Sequence, residues 1–237
     1  MSALGDIVHA LPVLAALRRA WPAAQVDWIV DEAYAPILSL AEGLHQRVVV
    51  RGKGPDAKGY VSAVRHLRAQ KYDAALDLQG LIKSAVWARL SGAARVIGFD
   101  RAHLREPMAA SFYTETVVPF DAPHVIQKNL SILKAFDLAP GPLELPLHPE
   151  AASATTNALA AVGGAKQYVV INPGAAWPNK RWPADRFGAL AGTLHAHTRL
   201  RSLVTWGPNE KALAESVVSA SGGAASLARP PPSPTSR

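Results

Sequence analysis

No cysteine occurs anywhere in the chain, which excludes disulfides, thiolate metal sites and a cysteine nucleophile at once. No apolar run reaches the roughly eighteen residues that a membrane-crossing helix needs. The N-terminus lacks the charged-then-apolar pattern of a secretory signal, because Asp6 and His9 interrupt it. Neither G-x-G-x-x-G nor G-x-x-x-x-G-K-[ST] is present, so a nicotinamide or flavin enzyme is disfavoured and the chain is not a P-loop protein. The eight histidines show no H-E-x-x-H or similar spacing, and a lone His9 reads as a structural residue rather than a metal ligand. A cytoplasmic address is the expectation that fits a chain without cysteine.

What is present is a soluble globular composition, 49% apolar and 18% charged over 237 residues, enough for one large domain or two modest ones. The net charge of +7 is unevenly placed. Residues 1–150 carry 16 basic and 15 acidic side chains, whereas residues 151–237 carry 9 and 3. Within the first part, Arg47, Arg51, Lys53, Lys58, Arg65, Arg68 and Lys71 face only Asp56, a cluster able to steer an anion or simply to solvate a helix face. No recognised module or aromatic interleaving accompanies the charge, so no nucleic-acid partner is expected.

Short β-rich runs at 26–30, 47–51, 74–78, 95–99 and 116–119 alternate with helical periodicity at 7–20, 33–43, 59–70, 81–91 and 124–136. Such alternation predicts an α/β fold with a parallel sheet covered on both faces. Four prolines between Ala139 and Pro149 then mark a linker. The alternation resumes with a helix near 150–162, a strand at 168–172, a helix near 184–197, a strand at 203–206 and a helix at 209–220. The expected division is therefore a domain at 1–140, a linker at 141–149, a partial domain at 150–221 and a disordered tail at 222–237. Two strands are too few for an independent α/β sheet, so the second domain reads as cut in half.

The candidate residues sit at strand-to-helix corners. Gly5-Asp6 opens the first helix, where the dipole and unpaired N–H groups favour a carboxylate. Asp6 is either a helix cap or a general base within reach of an acceptor hydroxyl. Asp77-Leu-Gln-Gly-Leu-Ile-Lys-Ser84 is a second corner; Lys83 falls in the first turns of its helix, where the dipole does not help a cation, so it is either solvent-exposed or facing an anion. Gly98-Phe-Asp-Arg101 and Leu104-Arg-Glu-Pro107 make a third corner. Arg101 and Arg105 there either bind carboxylate or phosphate through their planar forks or pair internally with Asp100 or Glu106. The stretch from Asn172 to Pro183 is a fourth, with Lys180 and Arg181 in a loop where a phosphate would meet helix amides.

With these corners in order, Ser2-Ala-Leu-Gly-Asp-Ile-Val-His-Ala-Leu-Pro12, Asp77–Ala85, Gly98–Arg101 with Arg105–Pro107, and Asn172–Gly174 with Lys180–Pro183, the chain resembles the lipopolysaccharide heptosyltransferases of glycosyltransferase family 9, most closely the type I enzymes. The resemblance runs from residue 2 to about residue 220. It implies a GT-B fold of two Rossmann-like domains, the N-terminal one for the acceptor, Kdo-bearing lipid A, and the C-terminal one for ADP-L-glycero-D-manno-heptose. It implies inverting, metal-independent transfer with no cofactor, at the cytoplasmic face of the inner membrane and without a transmembrane segment. By position Asp6 matches the family's general base, Lys180 the lysine that offsets charge on the departing ADP, and Glu210 a nucleotide-contacting glutamate. Lys83, Arg101, Arg105 and the 47–71 cluster become acceptor contacts.

The departures are as specific. The family's short apolar strand before the Gly-Asp turn is missing, the later Asp-x-Gly-x-x-His donor segment has no counterpart, and Ala175-Ala176 stand where the family has hydroxyl residues. The chain as given is therefore expected not to show useful heptose transfer. An inactive remnant or acceptor-binding module is the alternative reading, and another GT-B nucleotide-sugar enzyme, such as an epimerase, a third that the Gly-Asp opening and Lys180-Arg-Trp-Pro183 disfavour.

Overall fold

Between Ala10 and Ala16 the first helix is apolar on every side, and a helix of that kind is stable only when covered all round. In the computed structural model, which describes residues 4–51, 57–121, 124–148, 159–164, 167–175, 177–207 and 209–228, this helix (α1, Leu4–Ala20) is buried continuously from Ala10 to Ala16. One side of it, through Ile7, Leu11 and Leu14, packs with Val30 and Leu38. The other, through Val13 and Ala16, packs with Ile97, Phe99, Ile132 and Leu133. Asp6 lies in its first turn, as the Gly-Asp corner predicts.

The chain divides into two compact units, Met1–His148 and Pro149–Arg237. In the first, α1 is followed by β1 (Asp27–Asp31), the four-residue α2 (Ala35–Leu38), β2 (Gln46–Val50), α3 (Ala57–Ala69), β3 (Ala74–Leu76), α4 (Ile82–Leu90), β4 (Arg95–Phe99), β5 (Glu115–Val117) and α5 (Val125–Leu130). Every strand pairing is parallel, but the strands form two sheets, β1–β2 and β3–β4–β5. β1 and β3 do not pair, and residues of both, Trp28 and Ile29 with Ala74, Ala75 and Leu76, line one cavity of about 1100 Å³. The expected single parallel sheet is thus open in its middle. The expected helices at 33–43 and 124–136 are shorter than their periodicity suggests: each is partly a 3₁₀ segment, Glu32–Tyr34 before α2 and Ser131–Phe136 after α5.

In the second unit the expected helix near 150–162 lies mostly outside the described residues. β6 (Tyr168–Ile171), α6 (Ala184–Thr198), β7 (Arg201–Val204), α7 (Lys211–Ala220) and β8 (Ala225–Leu227) follow. β8 corrects the expectation of disorder from residue 222 onward: it pairs in parallel with β7, giving a three-stranded sheet. The reason is local. Gly222 and Gly223 adopt left-handed φ angles of +60° and +86°, which turn the chain back, and the small Ala224 and Ala225 then bury against Val204 and Val217. Among the described residues no helix is long and apolar enough to cross a membrane.

Candidate active site

The corner after β3 begins with a buried carboxylate. Asp77 is 3% exposed and accepts the N–H groups of Gln79 (2.9 Å) and Gly80 (3.3 Å), Ser84 Oγ (2.8 Å) and Tyr113 Oη (2.7 Å). Burial, then the charge and hydrogen bond of Asp77, hold the Tyr113 phenol far above its ordinary range. Tyr113 reaches Asp77 because residue 98 is glycine: a Cβ there would lie 2.3 Å from the Tyr113 ring.

The corner is locked to the loop after β4. Glu106 N donates to Gly80 O at 3.0 Å, and the Glu106 carboxylate accepts the N–H of Ile82 at 2.7 Å, satisfying one open amide of α4. Gly80 has φ +66°, and a Cβ on it would stand 2.9 Å from Leu104 Cδ2. The two loops therefore approach as closely as glycine allows.

Both loops deliver a side chain to Asp6. Gln79 Nε2 donates to Asp6 Oδ2 at 3.0 Å, while Arg105 Nη2 donates to Oδ1 at 2.9 Å and Nη1 to Oδ2 at 3.3 Å. Arg105 is 54% exposed and Asp6 20%, so this pair is half in water and of modest strength. All three residues line the cavity. Nearby, Lys128 donates to His103 O and stands 5.0 Å from the Phe99 ring centroid. Burial, then the charge of Arg105, lower its pKa, against an opposing effect of Asp100. His9 and His124 meet edge to face at 5.8 Å.

The sequence candidates in this unit thus divide. Asp6 and Arg105 are in contact, and Arg105 does not take the internal partners first considered: Asp100 pairs with His103 and Glu106 holds Ile82 N–H. Arg101 is exposed at the start of a 3₁₀ turn, and Lys83 is exposed as the second residue of α4. Of the basic cluster, Arg51 pairs with Glu32 at 3.2 Å and Arg68 Nε donates to Leu90 O at 3.2 Å; the side chains of Lys53 and Lys58 lie outside the described residues. Gln79 was not singled out from the sequence, and its only signal is its place two residues after an aspartate in an Asp-x-x-Gly turn.

In the second unit, Gly174 N donates to Asn172 Oδ1 at 3.1 Å in the corner after β6. Glu210, just before α7, accepts Gly207 N (3.1 Å) and Arg181 Nη2 (3.3 Å), while Arg181 Nε donates to Ala175 O (2.9 Å). Arg181, expected beside Lys180 as a phosphate ligand, instead joins the loop after β6 to Glu210. Lys180 ends a 3₁₀ turn and is exposed. Among the described residues no group of three or more His, Cys, Asp or Glu is placed to hold a metal.

The closeness of Glu210 to Gly174 is open to measurement. A Cβ on Gly174 would lie 2.0 Å from Glu210 Oε2. Gly174→Ala is expected to cost about 1 kcal/mol, because the end of the Glu210 side chain swings aside and gives up its bonds to Gly207 N and Arg181. With Glu210→Ala already in place those bonds are gone, so adding Gly174→Ala should cost little more. Urea unfolding of both single variants and the double gives the coupling; additive losses would place the strain elsewhere.

The glycosyltransferase family 9 (heptosyltransferase) profile matches residues 60–226. Lipopolysaccharide heptosyltransferase 1 of Pseudomonas aeruginosa is 30% identical over 202 residues, covering 80% of this chain and 55% of its own length. The protein of the same name from Escherichia coli K12 is 27% identical over 219 residues, covering 89% and 67%. The chain thus spans little more than half of the first relative and two thirds of the second. Among solved structures, E. coli heptosyltransferase WaaC with ADP superposes at TM-score 0.73 with 25% identity, over 99% of this chain and 73% of that one. The same enzyme with ADP-2-deoxy-2-fluoro heptose gives 0.76, over 75% of its length.

Proposed function

The chain belongs to glycosyltransferase family 9, the heptosyltransferases, and on that premise we propose that it moves L-glycero-D-manno-heptose from ADP-heptose to the Kdo of lipid A. The observation that carries the reading is the Asp6 carboxylate in the first turn of α1, oriented by Gln79 and paired with Arg105. In the transfer step Asp6 takes the proton of the acceptor hydroxyl as its oxygen bonds to the anomeric carbon. The bond from that carbon to the phosphate oxygen breaks, and ADP leaves with the electron pair. A single displacement of this kind inverts the anomeric centre. Lys180 offsets the charge gathering on the departing diphosphate, and Glu210, held by Arg181, contacts the nucleoside side of the donor. Arg105, Lys83 and Arg101 contact the anionic acceptor, which the chain meets at the cytoplasmic face of the inner membrane. No metal enters this scheme, since Lys180 does the work of neutralising phosphate.

The test supplies ADP-heptose and Kdo-lipid A and follows the product by mass. Transfer too slow to be useful, yet detectable by mass, is the expected result. Asp6→Ala should lower it by about a hundredfold or more, the usual scale for a positioned base. Near-normal product in that variant would remove Asp6 from the role. Binding of Kdo-lipid A without binding of ADP-heptose would leave an acceptor-binding module, a reading that Ala175, which has no hydroxyl to offer a phosphate, favours.

A further inference from the structure

Both oxygens of Asp6 are occupied: Oδ1 by Arg105, Oδ2 by Arg105 and Gln79. An acceptor hydroxyl approaching either oxygen meets a donor already seated there, so in this arrangement the proposed base is masked. The two partners are held differently. Gln79 belongs to the corner fixed by buried Asp77, whereas the Arg105 guanidinium is more than half exposed and its bonds are to Asp6.

The surrounding charge favours an anion. Lys128 rests on a backbone carbonyl and an aromatic ring, Asp100 is taken by His103, and Glu106 is engaged with the Ile82 N–H. Asp6 is thus the carboxylate that compensates Arg105. The fork of an arginine that binds one carboxylate bidentately suits another in the same way.

We propose that Arg105 is a specificity switch: a carboxylate on the acceptor sugar displaces Asp6 from the guanidinium, and the same exchange frees Asp6 Oδ1 to receive the acceptor's proton. Gln79 stays on Oδ2 and keeps the carboxylate oriented. An acceptor without a carboxylate leaves the base masked even when its hydroxyl comes within reach of Asp6. The inference rests on the reading of this unit as the acceptor site with Asp6 as its base.

The experiment measures binding by the whole chain, using free Kdo and its neutral carboxamide as probes in titration calorimetry. Wild type is expected to prefer the acid by about tenfold, the scale of a charged hydrogen-bonded contact. Asp6→Asn should bind the acid about threefold more tightly than wild type, because a half-exposed competitor of that order has been removed. The carboxamide should bind both proteins alike. Simple loss of a negative charge would also favour an anion, so the double variant Asp6→Asn/Arg105→Ala decides. The exchange predicts that the gain vanishes there, and a gain that persists overturns it. An Asp6→Asn protein that binds Kdo no more tightly than wild type also overturns it, while leaving the acceptor site standing. If no protein binds either probe, the acceptor-site reading falls and takes the switch with it.

Discussion

Asp77→Ala is expected to lower the thermal midpoint by about 10 °C. The carboxylate is 3% exposed and accepts from four donors, two of them backbone amides of its own corner. Removing it leaves those donors facing a small void. Ser84 Oγ can turn wholly to Leu81 O, 2.9 Å away, but the Gln79 and Gly80 amides and the Tyr113 hydroxyl have no equivalent recourse. At about 1–3 kcal/mol for each buried donor left open, partly relieved by entering water, the net cost is about 3–5 kcal/mol. For a unit of this size each kcal/mol is worth about 2–4 °C. Asp77→Asn keeps one acceptor oxygen for the two amides, and the hydroxyls can turn to accept from its NH₂, so its cost should be about 1 kcal/mol. Circular dichroism melts of both variants and Tyr113→Phe check the ordering. Equal midpoints for Asp77→Ala and Tyr113→Phe would refute the four-donor account.

Much of this arrangement was legible before any coordinates. The strand-to-helix corners carry their own punctuation, since glycine and aspartate mark where a buried strand must turn, and α1 follows from an apolar run with helical spacing. Asp6 and Arg105 were singled out at their corners from charge and position. Their contact was not visible, because 99 residues separate them and only the packing of α1 against the end of β4 brings them together. Gln79 was missed for the same reason: an uncharged side chain gains meaning from what it reaches. β8 was missed because Ala225-Ser-Leu227 has little β-branched character and follows two glycines, while its burial comes from the α6, α7 and β7 side chains it meets. The family pattern places an apolar strand ahead of Gly5, and the strands of the first unit form two sheets, β1–β2 and β3–β4–β5, rather than the one expected.

That division offers the chain a stability gain. Five apolar β-branched residues placed ahead of Met1 are expected to raise the melting point of the first unit by about 10 °C. The cavity that receives them is lined by Trp28 and Ile29 of β1, by Ala74, Ala75 and Leu76 of β3, by Val13, Leu14 and Leu17 of α1 and by Trp87 and Ala88 of α4. Strand backbone thus stands in two walls and helix side chains in others, which is the surrounding of a central strand in a doubly covered sheet. None of β3 is fully buried, and only Val30 of β1 is. Asn129, 3% exposed in the same wall, has an Oδ1 without a hydrogen-bond partner, an acceptor that a backbone N–H would satisfy. The three residues before Leu4 fall within the usual length of a strand-to-helix connection. Burial contributes about 2 kcal/mol per residue and ordering removes about 1–2, so the net gain of about 3–5 kcal/mol comes mainly from hydrogen bonds along two edges. A proline in the middle of the same extension removes one donor from the ladder and should abolish most of the gain. An extension that stabilises equally with and without that proline would mean that the cavity takes up apolar side chains but no strand.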